Sequence, residues 1–131
     1  MDTRDPQVAQ VLKENRIDTL LHLAWRFNPS HNSRTTYDVD VNGSKNVLES
    51  CRDAGVKHIV IFGSTTAYGA HPDNPNWLIE DSPIMGNRDI PYSWHKALVE
   101  EFCDGFEKDN PQIALTRFRA ASSSEGISII S

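Results

Sequence analysis

Apolar side chains recur along this chain at helical spacing and then in short continuous runs, and the order of these segments predicts three helix–strand pairs. In the first pair, Asp5 is placed to cap a helix and Pro6 to occupy its first position. The apolar run at residues 17–24 then predicts a mostly buried strand.

The second pair begins after a polar loop. Apolar residues follow helical spacing over residues 33–54, with Asn32 or Ser33 as the cap, and Gly55 is suited to the position just past the helix end. The β-branched, apolar run at residues 58–62 predicts a second buried strand.

The third pair follows a long segment, residues 65–90, whose prolines, asparagines and glycines predict a loop. Long loops in compact domains are often functional. A third helix is predicted over residues 91–108, and Asn110 and Pro111 break it before a third strand at residues 112–118.

Alternating helices and apolar strands are typical of a parallel sheet with covering helices. We therefore predict an α/β fold, a partial parallel sheet of about three strands, within residues 1–120, and a flexible or unrelated tail at residues 121–131. Functional groups in such sheets gather at the carboxyl ends of the strands, and Ala24 and Ser64 both fall at predicted strand ends.

Composition narrows the classes of function. The 131 residues suit one domain, and a net charge of −5 without a Lys/Arg cluster argues against binding to nucleic acid or to an anionic membrane. No apolar run is long enough to span a bilayer and the first residues do not resemble a signal peptide, so we expect a cytoplasmic protein. Cys51 and Cys103 lack metal-ligand spacing, so we expect two buried or half-buried thiols and no metal site.

Tyr92 and Lys96 are the candidate chemistry. Residues four apart share a helix face, so the Lys96 ammonium lies near the Tyr92 phenol. A nearby positive charge favours the phenolate and lowers the pKa of a tyrosine from its ordinary value of about 10, which suits a general base. The alternative is an ordinary pair of neighbours on a helix surface. Ser64, just upstream, is placed to hydrogen-bond the same substrate oxygen or, alternatively, only to cap a turn.

Five segments in order resemble the extended short-chain dehydrogenase/reductase family, the NAD-dependent epimerase/dehydratase group. They are DTRD at 2–5, HLAW at 22–25, VNGSKNVLE at 41–49, GSTTAYG at 63–69 and YSWHK at 92–96. The resemblance covers roughly residues 2–120. It implies a Rossmann-like domain and NAD or NADP as cofactor, with a nucleotide sugar or another hydroxyl or carbonyl compound as substrate.

The resemblance also implies roles for individual residues. Tyr92 is similar to the catalytic base, Lys96 to its partner that also holds the nicotinamide ribose, and Ser64 to the substrate-side hydroxyl. Thr65 and Thr66 stand where sugar dehydratases carry an Asp-Glu pair, which disfavours elimination of water.

Further positions are similar to cofactor-facing ones. Leu23, Ala24 and Trp25 match the strand-end stretch that passes under the cofactor, and Asp2 matches an acidic residue that faces the adenine. Alternatively, Leu23 and Ala24 belong only to the core, Trp25 is half-buried packing or a partner contact, and Asp2 lies in a disordered terminus.

The chain also departs from the family. It has no glycine-rich G-x-x-G-x-x-G turn for the pyrophosphate, and Asp40 replaces the usual Asn. Only the middle portion of the family is matched, which leaves the strand at 17–24 as an exposed apolar edge. We therefore expect the isolated chain to be either a weak enzyme or a truncated, non-catalytic remnant. As such a remnant it would act as an interaction module, with a homodimer through helices 33–54 and 91–108 as the expected assembly.

Overall fold

The computed structural model describes residues 1–25 and 33–121, with only the backbone of Ser33. The helices are α1 (Val8–Glu14), α2 (Ser33–Tyr37), α3 (Gly43–Ala54) and α4 (Pro91–Asp109); the strands are β1 (Thr19–His22), β2 (His58–Ser64) and β3 (Ala114–Ala120). A π-helical turn, Asp38–Asn42, joins α2 to α3, and a 3₁₀ turn, Thr65–Tyr68, follows β2.

The three strands form one parallel sheet in the order β1-β2-β3. Both crossovers advance across the sheet in the same direction, and such crossovers are right-handed, so their helices cover the same face. The predicted partial, Rossmann-like α/β sheet of three strands is confirmed.

The core lies between the sheet and this single helical layer. Leu20, Ile59 and Leu115 are aligned across the three strands and point toward the helices. The most buried core side chains come from α3, α4, β2 and the turn before β2: Leu48, Cys51, Val56, Ile59 and Cys103. Both cysteines are free and buried, as expected.

The opposite face of the sheet is open to solvent. Leu21 is 54% exposed, Phe62 38% and Phe118 53%, and the last two rings contact each other with centroids 5.0 Å apart. The prediction of mostly buried strands is therefore wrong for this face, because every described helix packs on the other one. The predicted exposed apolar edge is confirmed, since β1 is an edge strand.

Element boundaries differ from the predictions by a few residues. Regular α1 starts at Val8 rather than at Pro6, although the Asp5 carboxylate accepts the Gln7 N–H at 2.8 Å and caps the preceding turn. β1 is four residues long rather than eight, whereas β2 continues to Ser64. The strand predicted at 112–118 begins and ends two residues later. The predicted polar loop before residue 33 and the tail beyond 121 lie outside the described residues, as does the proposed cap at Asn32.

The long second helix is interrupted where the prediction made it continuous. Ser44 Oγ donates to the Asp40 carbonyl at 2.6 Å, which competes with the regular backbone pattern at the π turn. Gly43 allows the N-terminal segment to approach, because a Cβ there would lie 2.4 Å from Thr3 Oγ1. Gly55 ends the helix in the left-handed conformation, φ 78°, as predicted.

The loop between β2 and α4 is fixed by its own polar contacts. Asn87 Oδ1 accepts the Ala70 N–H at 2.7 Å, and Ser93 Oγ donates to the Thr66 carbonyl at 2.7 Å while accepting the Asn87 N–H at 2.9 Å. These bonds hold the loop against the start of α4. No helix in residues 1–25 or 33–121 combines the length and apolarity needed to cross a bilayer.

Candidate active site

The candidate residues gather at the carboxyl edge of the sheet. Ser64 ends β2, Trp25 lies three residues beyond β1, and Tyr92 and Lys96 lie in the first turns of α4, which starts at this edge because it runs antiparallel to the strands. Pro91 at the first helical position fixes where α4 begins and thus where these two side chains emerge.

Lys96 is the buried centre of the site, with 4% of its surface exposed. Its ammonium donates to the Phe62 carbonyl of β2 at 2.9 Å. It also lies 3.4 Å from the centroid of the Trp25 ring and 5.7 Å from that of Tyr92. Burial lowers the pKa of Lys96 to about 8, against the opposing effect of nearby Asp40 and Glu100.

Tyr92 and Trp25 contact each other edge to face, with centroids 5.9 Å apart and an interplanar angle of 85°. The structure thus brings Tyr92, Lys96 and Trp25 together, as the sequence predicts for the first two. Ser64 is buried, and its hydroxyl accepts from the N–H of Thr66 at 3.2 Å and from the Thr66 hydroxyl at 2.9 Å. Ser64 thus caps the 3₁₀ turn that follows β2.

The other predicted cofactor-facing residues are more exposed. Leu23 is 56% exposed and Ala24 is exposed, so neither belongs to the core. Asp2 is ordered against Arg4, whose backbone N–H and side chain donate to the carboxylate at 2.8–2.9 Å. These bonds hold the pKa of Asp2 well below its ordinary value. Asp2 therefore belongs to an exposed ion pair with Arg4.

A buried polar chain beneath the site was not predicted from the sequence. The Asp40 carboxylate lies 3.2 Å from Nδ1 of His95, the residue before Lys96, and both side chains are buried. His22 Nε2 lies 3.0 Å from Ser44 Oγ, which accepts because its own proton goes to the Asp40 carbonyl. Burial lowers the pKa of His22 to about 4, so the ring is neutral at pH 7. One sign of these buried polar contacts was present in the sequence, which was Asp40 in place of the family's Asn.

Glu100 forms a second unpredicted cluster, one helical turn beyond Lys96. Its buried carboxylate accepts two bonds from Arg119, at 3.0 and 2.9 Å, and one from Arg117 at 3.3 Å. Arg119 also donates to the Tyr68 hydroxyl at 2.8 Å and to the Glu80 carbonyl at 2.9 Å. This cluster ties α4, β3, the 3₁₀ turn and the long loop together.

No group of three or more His, Cys, Asp or Glu side chains in the described part of the chain is arranged to hold a metal ion.

Comparison with known proteins identifies the family. The sequence model of the NAD dependent epimerase/dehydratase family matches residues 1–123. A UDP-glucose 4-epimerase from Erwinia amylovora is 32% identical over 121 residues, which are 88% of this chain and 35% of that protein. A UDP-glucose 4-epimerase from Neisseria meningitidis is 31% identical over 122 residues, with 90% and 35% covered.

Solved structures agree on the fold. The UDP-Glc/GlcNAc 4-epimerase of Campylobacter jejuni superposes with a TM-score of 0.79 at 24% identity, over 91% of this chain and 36% of that one. The UDP-glucose-4-epimerase of Stenotrophomonas maltophila, solved with bound NAD and formylated UDP-arabinopyranose, gives 0.77 at 26% identity, over 91% and 35%. The chain spans about a third of the length of these relatives, and with its three-stranded Rossmann-like layer it belongs to the NAD-dependent epimerase/dehydratase family.

Proposed function

We propose that this chain carries the proton-transfer residues of an NAD(P)-dependent sugar-nucleotide epimerase or related reductase. The observation that carries the proposal is the pairing of Tyr92 with a buried Lys96 on one face of α4 at the carboxyl edge of a parallel sheet. Membership in the family supports the same chemistry.

In this proposal Tyr92 takes the proton from a substrate hydroxyl that is being oxidised. The Lys96 ammonium lies 5.7 Å from the centroid of the Tyr92 ring, on the same face of α4. In the structure the Thr66 hydroxyl donates to the Ser64 hydroxyl. In this proposal the Ser64 hydroxyl turns away from Thr66 and hydrogen-bonds the same substrate oxygen. Tyr92 returns the proton when the carbonyl is reduced again.

NAD(P), when bound, supplies the hydride acceptor and donor. The residues present fit its nicotinamide end, since a phenol, an ammonium and a hydroxyl lie at the same carboxyl edge of the sheet. These 131 residues contain no glycine-rich turn for the pyrophosphate end. We therefore expect weak binding that depends on the nicotinamide end.

The proposed substrate class is a nucleotide sugar, because the relatives named above are UDP-glucose 4-epimerases. Thr65 and Thr66 lack carboxylates, so epimerisation or reduction is proposed rather than elimination of water.

Calorimetric titration of the 131-residue chain with NAD⁺ and with NADP⁺ tests this function. We expect one of them to bind with a dissociation constant of about 1 mM, or roughly −4 kcal/mol. Binding should weaken at least tenfold in Lys96→Ala because the ribose contact is lost. Lys57→Ala is the matched control, since Lys57 is exposed at the opposite edge of the sheet. A folded chain that binds neither cofactor would refute the proposal for this chain.

The second candidate function is a non-catalytic dimerisation module, and the arrangement of the two predicted helices favours it. Residues 33–54 and α4 lie side by side on the layer, with a half-buried Phe102 whose ring centroid is 5.4 Å from Lys45 Nζ. Light scattering after size-exclusion chromatography should then give the mass of two chains, and Phe102→Glu should give the mass of one. A wild-type chain that elutes as a monomer at all concentrations contradicts this candidate.

A further inference from the structure

We propose that Trp25 is a positioning residue that holds Lys96 and Tyr92 in a fixed relative orientation. The inference rests on the proposed function, in which these two side chains act together, but its contacts stand independently of it. The family resemblance places Trp25 only in a stretch that passes beneath a cofactor. It implies no contact between Trp25 and Lys96.

One indole contacts both members of the pair. Its face lies against the Lys96 ammonium, 3.4 Å from Nζ to the ring centroid, which is the geometry of a close cation–π contact. It meets the Tyr92 ring in a T-shaped arrangement, at 85° and 5.9 Å. Since both contacts involve the same rigid bicycle, moving Lys96 relative to Tyr92 requires Trp25 to move.

The lysine is held from two sides. The Phe62 carbonyl of β2 accepts one N–H of the ammonium, and Trp25, from the segment after β1, meets it as well. The two nearby carboxylates are paired with other residues: Asp40 with His95, and Glu100 with two arginines. Within residues 1–25 and 33–121, the charged and titratable groups that act on Lys96 are His22, Asp40, Tyr92 and Glu100.

Ring contacts, rather than a hydrogen bond, fix the indole. Trp25 Nε1 is buried and has no hydrogen-bond partner among the residues that the structure describes. A buried donor without a partner is unfavourable, so the packing on Lys96 and Tyr92 and against the core compensates for it. The role of Trp25 in this structure therefore depends on the packing of its ring and not on a hydrogen bond from its N–H.

The first experiment reads the Trp25–Lys96 contact without any cofactor. The chain has three tryptophans, so Trp77→Phe and Trp94→Phe leave Trp25 as the only indole. Its emission should change in a transition near pH 8, where Lys96 loses its proton. The transition should disappear in Lys96→Met and persist in Tyr92→Phe and in Lys57→Met. Absence of the transition, or its survival in Lys96→Met, overturns the proposal.

The second experiment reads the positioning itself. Modification of lysine amines by acetic anhydride, followed by mass spectrometry, gives a rate for each lysine. Trp25→Leu should release Lys96 and raise its rate at least tenfold, whereas Trp25→Phe should keep the wild-type rate because an aromatic face remains. Lys45 and Lys57 serve as internal controls at unchanged rates. An unchanged Lys96 rate in Trp25→Leu, or an equal increase at Lys45 that reports general loosening, refutes a positioning role. Neither experiment uses NAD(P), so failure here is distinct from failure of the calorimetric test.

Discussion

Glu100→Gln removes one charge from the buried cluster that connects α4 to β3. The Glu100 side chain is 4% exposed, and the side chains of Arg117 and Arg119 are 16% exposed. Gln keeps the shape of the side chain, but its NH₂ group faces a guanidinium donor where an oxygen accepted before. The change therefore isolates the charge and its hydrogen bonds from packing.

The magnitude follows from the bonds that are lost. Arg119 loses one arm of its two-bond contact with the carboxylate, while it keeps Tyr68 and the Glu80 carbonyl. Arg117 keeps Asp104 and Glu107. Breaking a buried ion pair from one side costs about 3–5 kcal/mol, and the remaining partners place this case near about 3 kcal/mol. For a chain of this size that corresponds to a fall in Tm of about 12 °C.

Urea unfolding followed by circular dichroism measures this cost as a difference in free energy of unfolding. Glu101→Gln is the matched control, since Glu101 is the exposed neighbour on the same helix, and a surface change of this kind alters stability by less than about 0.5 kcal/mol. A loss below about 1 kcal/mol in Glu100→Gln, or an equal loss in both variants, would show that the cluster does not stabilise the fold.

Four further substitutions have defined outcomes. Gly55→Ala should lower the free energy of unfolding by about 1 kcal/mol, because φ at Gly55 is 78°. Gly105 lies in the interior of α4 with open space around it, so Gly105→Ala should raise the free energy of unfolding by about 0.5–1 kcal/mol. Chemical denaturation measures both changes. The pKa of His22 is about 4 in the fold against 6.5 when unfolded, so the unfolded chain binds the extra proton and stability falls as pH drops from 6.5 to 4, by up to about 3 kcal/mol. His22→Gln should flatten that part of a stability–pH profile, and an unchanged slope would contradict the assignment. Phe118→Ser should reduce binding of the dye ANS to the open sheet face with less than about 1 kcal/mol change in stability, since Phe118 is 53% exposed; unchanged dye fluorescence would place the binding elsewhere.

The sequence predicted correctly those features that depend on residues within a few positions of each other. Gly55 ends its helix in the predicted conformation, and Pro91 begins α4 where predicted, because backbone preferences act within a few residues. The spacing of Tyr92 and Lys96 placed them on one helix face for the same reason. The π turn at Asp38–Asn42 was missed, since it depends on Ser44 and on a distant partner for Asp40.

By itself the sequence determined the order of helices and strands, the parallel sheet and the pair of residues that carries the proposed chemistry. Tertiary structure alone decided which face of the sheet is covered, because the direction of the crossovers, not the apolar pattern of a strand, chooses the side on which helices pack. It also decided that Trp25 lies on Lys96 and that His95 meets Asp40 across 55 residues of chain. Contacts between such distant segments depend on how the elements pack together. The spacing of residues along the sequence therefore does not predict them.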